Sequence, residues 1–364
     1  MNFSIPEPTP PRIVAPSLFN TFDTEIDALL GVPRARASFN VDGTGLAAAV
    51  LDTGLRVTHK CFAGRVLAAR NFTADAGGDP DDVTDTNGHG TNVTGLIAAG
   101  TADERRGIAP GAGVVALKVL PAPTFAPIQQ ALAWVLENEQ RLAISVVNLS
   151  LGAPGVNLAD DASVRAQMPQ FAALLTELNA RRIAVVIAAG NDYHAFQKEG
   201  MSMPAIFREV ISVGAVYDAS VGARHYQSGA SAFSTHADQM TPFSQRLSKV
   251  VSPECYTDVM SAGGAATSAG AAHDDATSVQ DGTSQAAPTV AGIVLLLQQH
   301  HKRLTGKLPP VALLQDVLRS TSTRIVDGDD EDDNVAHTGR KFPRVNAFES
   351  LAALDRAIKL APTT

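Results

Sequence analysis

Five short apolar runs constrain this chain more than any other feature: residues 46–51 (LAAAVL), 113–120 (GVVALKVL), 144–149 (ISVVNL), 183–189 (IAVVIAA) and 210–216 (VISVGAV). None alternates apolar with polar residues, so each reads as a strand covered on both faces, as in a parallel sheet. Parallel neighbours need crossovers of a dozen or more residues. Helical patterns stand in or beside those intervals, at 89–99, 127–141 and 162–181, the last with one internal proline, and three more follow at 284–304, 310–321 and 346–359. Strand alternating with helix predicts an α/β fold, a mostly parallel central sheet covered by helices on both faces.

The chain has 364 residues, 45% hydrophobic and 18% charged, enough for a large core. A net charge of -8 speaks against a nucleic-acid or anionic-membrane partner, which would favour a basic face. No apolar run reaches 18 residues, so no membrane span is expected. The start, MNFSIPEPTPPRIVAP, lacks the charged and apolar regions of a secretory signal. A full-length chain of this kind is expected in the cytoplasm, with another export route or trimming as alternatives. Residues 1–21 read as a Pro-rich extension. Cys61 and Cys255 are expected as two buried free thiols rather than a bridge. Residues 261–283, rich in Gly, Ala and Ser, are expected as an exposed loop, and the acidic run 327–334 (DGDDEDDN) as a solvated loop with a calcium site as its alternative.

In open parallel sheets, ligands bind beyond the carboxyl ends of the strands, and unusual polar groups gather there. Asp52 closes the first run, Ser150-Leu151-Gly152 follow the third and Gly190-Asn191 the fourth. A carboxylate ending a buried strand needs a partner. Its D-T-G context also occurs in aspartic proteases, but those require two such carboxylates and one D-T-G is present. His89, between Gly88 and Gly90 at the start of a helical stretch, is a candidate general base, with a structural histidine as the plainer alternative. Ser284, in DGTSQAAPTVAGIVLLL (281–297), opens a helix that is apolar nearly all round and must run through the core. Unpaired N–H groups and the positive end of the helix dipole surround it, and they suit an oxyanion formed when Ser284 attacks a carbonyl. A plain N-cap serine is the alternative.

Taken together, D-T-G (52–54), H-G-T-N-V-T-G (89–95) and G-T-S-Q-A-A-P (282–288), in the order Asp, His, Ser, resemble the subtilisin-like serine proteases over residues 22–360. The resemblance implies a single-domain subtilisin-like fold over 22–361. It also implies a serine endopeptidase acting through an Asp52–His89–Ser284 triad and an acyl-enzyme, with extended recognition of a substrate strand. Within A-A-G-N (188–191), Asn191 is the implied side-chain oxyanion donor. Ser150, Leu151 and Gly152 would form one wall of the primary pocket and Ala188, Ala189 and Gly190 the other. Asp192 would stand at the rim, Ser202 near the floor and Thr283 beside the nucleophile. Leu120, Phe125 and Ile128 belong to the opposite substrate strand, where Phe125 and Ile128 with Leu151 would line an apolar pocket for the fourth residue before the cut.

Two departures from the family pattern are visible. Pro121 and Pro123 remove backbone donors from that strand, and Cys61 stands where many members carry a calcium-binding aspartate. No cofactor is implied for catalysis. A structural calcium is admitted in loop 79–87, with Asp79, Asp81, Asp82 and Asp85 as candidate ligands, beside the plainer reading of a solvated acidic loop. The implied partners are a peptide or protein substrate and, further, an inhibitory pro-peptide or inhibitor protein. A macrocyclase on the same fold and a non-catalytic peptide-binding pseudoenzyme are the rival functions.

Overall fold

The runs without alternation become the central strands. β1 (Ala47–Asp52), β4 (Ile144–Leu149), β5 (Ala184–Ala188) and β6 (Ile211–Tyr217) are buried at every residue, and β3 (Gly113–Lys118) at all but its first. This computed structural model describes residues 24–100, 107–122 and 124–360, so the Pro-rich extension 1–21 and Pro123 lie outside the described residues. The remaining sheet strands are β2 (Val66–Asn71), β9 (Val259–Gly264), β12 (Thr323–Val326) and β13 (Lys341–Arg344), and two small hairpins pair β7 (Arg224–His225) with β8 (Ser231–Ala232) and β10 (Ala266–Ala269) with β11 (Thr277–Gln280). The nine-stranded sheet runs β12-β13-β9-β6-β5-β4-β1-β3-β2. Every neighbouring pair is parallel except β12–β13 at one edge.

Alternate residues of each strand enter different cores, as a sheet covered on both faces requires. Ala48, Val50, Val146 and Val186 join one cluster; Ala49, Leu51, Val147 and Ile187 join the other. The first core is filled by α8 (Thr283–Thr305), which lies across β4, β5, β6 and β9, and by α3 (His89–Ala98), α2 (Val32–Phe39) and α10 (Ala347–Leu360). The second face carries α4 (Ala126–Leu142) and α6 (Pro169–Ala180). Shorter pieces are α1 (Thr24–Leu29), α5 (Ala162–Gln167), α7 (Tyr193–Phe196) and α9 (Val311–Ser320). From Ala286 to Leu297, α8 is buried without interruption, as its all-round apolar sequence predicts.

Three expectations need correction. The helix predicted over 162–181 is two helices that meet at Met168, because Pro169 lacks the N–H to continue the first and instead opens the second. Segment 261–283 is not an exposed loop: β9 is fully buried, and β10 and β11 pack beside α3. Its small residues serve close approach. A Cβ on Gly95 of α3 would lie 2.3 Å from Ser268 Oγ of β10, and that hydroxyl donates to Asn92 O at 2.8 Å. The acidic run 327–334 is only partly solvated. Asp327 is fully buried and receives Arg246, itself 1% exposed, through Nε at 3.0 Å and Nη2 at 2.8 Å. Burial works to raise the Asp327 pKa, but the Arg246 charge and the Thr338 hydrogen bonds outweigh it and hold the carboxyl below its ordinary value.

Cys61 and Cys255 are both buried and form no disulfide, lying in different core clusters. No helix among the described residues is long and apolar enough to cross a membrane.

Removing one partner of a buried ion pair strands the other charge. Arg246→Met is therefore expected to lower unfolding stability by about 3–5 kcal/mol, read from denaturant titration against the parent.

Candidate active site

The strand order turns about β1: β3 and β2 lie on one side of it, β4 and then β5 on the other. Such a switch point leaves a crevice beyond the carboxyl ends of the strands. Asp52 is the last residue of β1, Ser150 follows β4, and Gly190-Asn191 follow β5, so three neighbouring strands deliver these groups to one place. The start of α8 faces them. Gly190 N–H donates to Thr283 Oγ1 at 3.2 Å, and Thr283 donates to Asn191 Oδ1 from both its N–H and its hydroxyl, each at 2.9 Å. Because a backbone N–H can only donate, this contact identifies the amide oxygen and leaves Nδ2 as the donor. A Cβ on Gly282 would lie 3.3 Å from that Nδ2, which places the donor beside the turn leading into Ser284.

His89 opens α3, with Gly88 as the N-cap in the left-handed region at φ 91°. Its Nδ1 lies 2.7 Å from Asp52 Oδ1, and the two side chains are 5% and 1% exposed. Oδ1 also accepts the Thr53 N–H at 2.7 Å. Burial pulls the imidazole pKa down, but the Asp52 carboxylate, by charge and hydrogen bond, and the Asp85 charge prevail, so it rests above its ordinary 6.5. Helix α3 approaches β1 closely through Gly90, whose Cβ would lie 2.2 Å from Gly54 O. Polar side chains tie the two helix starts together: Gln280 Nε2 donates to Gly88 O at 3.3 Å, and Gln285 Nε2 to Asn92 Oδ1 at 3.4 Å.

Asp85 has a different place from the one its loop predicts. Its buried carboxylate accepts from Thr53 Oγ1, Gly88 N, Thr91 N and Thr91 Oγ1 at 2.6–2.9 Å, gathering the first N–H groups of α3. A carboxylate with four donors is not available to a calcium ion. Asp79 and Asp82 accept from the N–H groups of Asp81 and Thr84, and the nearly buried Lys118 ammonium donates to Thr84 O at 2.9 Å. Asp79, Asp81, Asp82 and Asp85 do not converge; among the described residues the close groups of potential ligands lie within 327–337 instead. The residues of 79–87 thus do not fit a calcium ion held by all four carboxylates. The signal for the true role was an acidic residue just ahead of a helix start, and Thr53 and Gln285 carried no signal that sequence reasoning could use.

The pocket residues divide. Ser202 sits behind both predicted walls: a Cβ on Gly152 would be 2.9 Å from its Oγ and one on Gly190 2.7 Å from its Cβ. Its hydroxyl donates to Ala153 O at 2.8 Å, and its N–H to Ala189 O at 2.8 Å, in keeping with a place near the floor. Ala188 and Ala189 are buried. Asp192 Oδ2 accepts the Gly155 N–H at 2.7 Å, so the rim carboxylate already holds a loop. Leu120 is buried, its N–H donating to Asp52 O at 3.1 Å. Phe125, Ile128 and Leu151 are 6%, 0% and 5% exposed within the second core, Phe125 packing edge-on against Phe171. The three side chains belong to one packed core cluster.

Comparison with known proteins agrees with this arrangement. A model of the subtilase family matches residues 43–341. The chain belongs to the subtilase family. It is 30% identical over 263 residues to an intracellular serine protease of Paenibacillus polymyxa, covering 71% of this chain and 68% of that protein. It is 32% identical over 183 residues to the major intracellular serine protease of Bacillus subtilis, covering 48% and 52%. Subtilisin-like protease 2 of Trichophyton equinum is 32% identical over 310 residues, 82% of this chain and 61% of that one. The chain thus spans about half to two thirds of the length of these relatives.

Gly90→Ala forces a Cβ against the Gly54 carbonyl and displaces His89 from Asp52. A displacement of this kind is expected to lower kcat/KM by roughly 10²-fold in a chain that still folds, measured by peptide hydrolysis alongside circular dichroism.

Proposed function

We propose that this protein is a serine endopeptidase in which Ser284 is the nucleophile, His89 the general base and acid, and Asp52 the group that orients His89. The observation that carries the proposal is the buried contact of His89 Nδ1 with Asp52 Oδ1 at 2.7 Å, held next to the first turn of α8. Ser284 Oγ attacks the scissile carbonyl carbon and passes its proton to His89 Nε2, while Asp52 keeps the Nδ1 proton in place and stabilises the imidazolium. The oxyanion takes hydrogen bonds from Asn191 Nδ2 and the Ser284 N–H. Collapse of the intermediate expels the amine, which receives the proton from His89. Water, deprotonated by His89, then attacks the acyl-enzyme, releases the acid and restores Ser284. Side chains and backbone carry every step. The matching relatives are named as serine proteases, which favours hydrolysis over macrocyclisation or peptide binding without catalysis.

Ser284→Ala is expected to fold and to lose hydrolytic activity, since the hydrogen bond it gives up, from Ser284 Oγ to Ser150 O, costs about 0.5–1.5 kcal/mol while the nucleophile has no substitute. Activity within tenfold of the parent, a roughly 1.4 kcal/mol change in barrier, would refute the assignment. Asn191→Leu should reduce kcat by about 10²–10³ with little change in KM; a loss confined to KM would make Asn191 a ground-state contact.

Only neutral His89 accepts the proton, so activity is lost as pH falls through its pKa. Because Asp52 and Asp85 hold that pKa up against burial, the acid limb of kcat/KM against pH should lie above 6.5, the ordinary imidazole value. A limb at or below that value would contradict the electrostatic account.

A further inference from the structure

The carbonyl of Ser284 lacks its helical donor. Within an α-helix the carbonyl of residue i accepts from the N–H of residue i+4, and four residues beyond Ser284, inside α8, stands Pro288. Proline has no N–H, and its ring pushes the i−4 carbonyl out of line. A partly buried carbonyl in that position needs another donor. Ser150 provides one: its Oγ donates to Ser284 O at 2.7 Å. A carbonyl can only accept, so the single hydroxyl proton of Ser150 must point to it, and a Ser150 lone pair takes the Asn148 Nδ2 proton at 2.9 Å. Asn148 and Ser150 are 0% and 1% exposed. In return, Ser284 Oγ donates to Ser150 O at 3.1 Å. Two serines, 134 positions apart, thus cross-link the end of β4 to the start of α8.

We propose that Ser150, oriented by Asn148, is a positioning residue for the nucleophile: its hydroxyl replaces the amide that Pro288 lacks and sets the tilt of the peptide that carries Ser284. The inference rests on the reading of Ser284 as nucleophile. Tilt of that peptide turns the Cα–Cβ bond of Ser284, and small misplacements of a reacting atom are costly. The second hydrogen bond, from Ser284 Oγ to Ser150 O, is a resting position that the hydroxyl leaves by rotation about χ1 when it hands its proton to His89. The clamp holds the backbone and leaves the hydroxyl free to swing.

The test follows Ser284 sulfonylation by phenylmethanesulfonyl fluoride, in which Oγ attacks sulfur and fluoride leaves, with kcat and KM for a peptide substrate, in the parent, Ser150→Ala, Pro288→Ala and the double variant. Ser150→Ala is expected to slow sulfonylation and kcat about tenfold, ~1.4 kcal/mol, with KM changed less than about twofold. The double variant should recover most of that loss, because residue 288 then offers an N–H to Ser284 O. A Ser150→Ala rate equal to the parent's, or a double variant no faster than Ser150→Ala, would overturn the clamp. Should thermal unfolding show that Pro288→Ala does not fold, Asn148→Leu replaces it: it should slow sulfonylation in the parent and add nothing on top of Ser150→Ala, whereas additive losses would count against the inference. Failure of the reagent to label Ser284 in the parent would overturn the nucleophile itself. Labelling of parent and Ser150→Ala at one rate would remove only the clamp.

Discussion

Two helices, α3 and α8, begin in the same crevice, and each leaves N–H donors that its own turns cannot satisfy. Buried donors require acceptors, and here the acceptors come from other segments. The Asp85 carboxylate takes Gly88 N and Thr91 N at the start of α3; the Asn191 amide oxygen takes Thr283 N at the start of α8. These bonds decide where His89 and Ser284 stand, because each is the first or second residue of its helix. They also decide which end of Asn191 faces the site.

Close backbone approach is the second condition. α3 reaches β1 because Gly90 has no side chain to strike Gly54 O, and reaches β10 because Gly95 and Ser268 are small. Ser202 can sit behind two pocket walls only because Gly152 and Gly190 lack a Cβ. The abundance of small residues at 261–283, which by composition looks like a loop, is the requirement of a strand and a hairpin packed under helices. A glycine-rich stretch has one composition and two meanings, and the neighbour it must admit distinguishes them.

Carboxylates show the same ambiguity. Asp327 lies in a run that composition assigns to solvent, yet it is buried against Arg246, a residue 81 positions away. Asp85 lies in a loop dense in potential calcium ligands, yet four donors from α3 and Thr53 surround it. Phe125, Ile128 and Leu151, set apart as pocket residues by motif, are buried in one core cluster, with Phe125 against Phe171.

The five central strand runs, the long helices α3, α4 and α8, the parallel character of the sheet and the three motifs that hold Asp52, His89 and Ser284 were legible in the sequence. Periodicity and motif are relations among residues close along the chain, and short-range sterics and burial impose them locally. The partners of the polar groups were not legible. Thr53 Oγ1 finds Asp85 across 32 positions, Thr283 finds Asn191 across 92, and Ser150 finds Ser284 across 134. A hydrogen bond is set by distance and direction in space, and only the packed tertiary structure brings such remote donors and acceptors within 3 Å of one another.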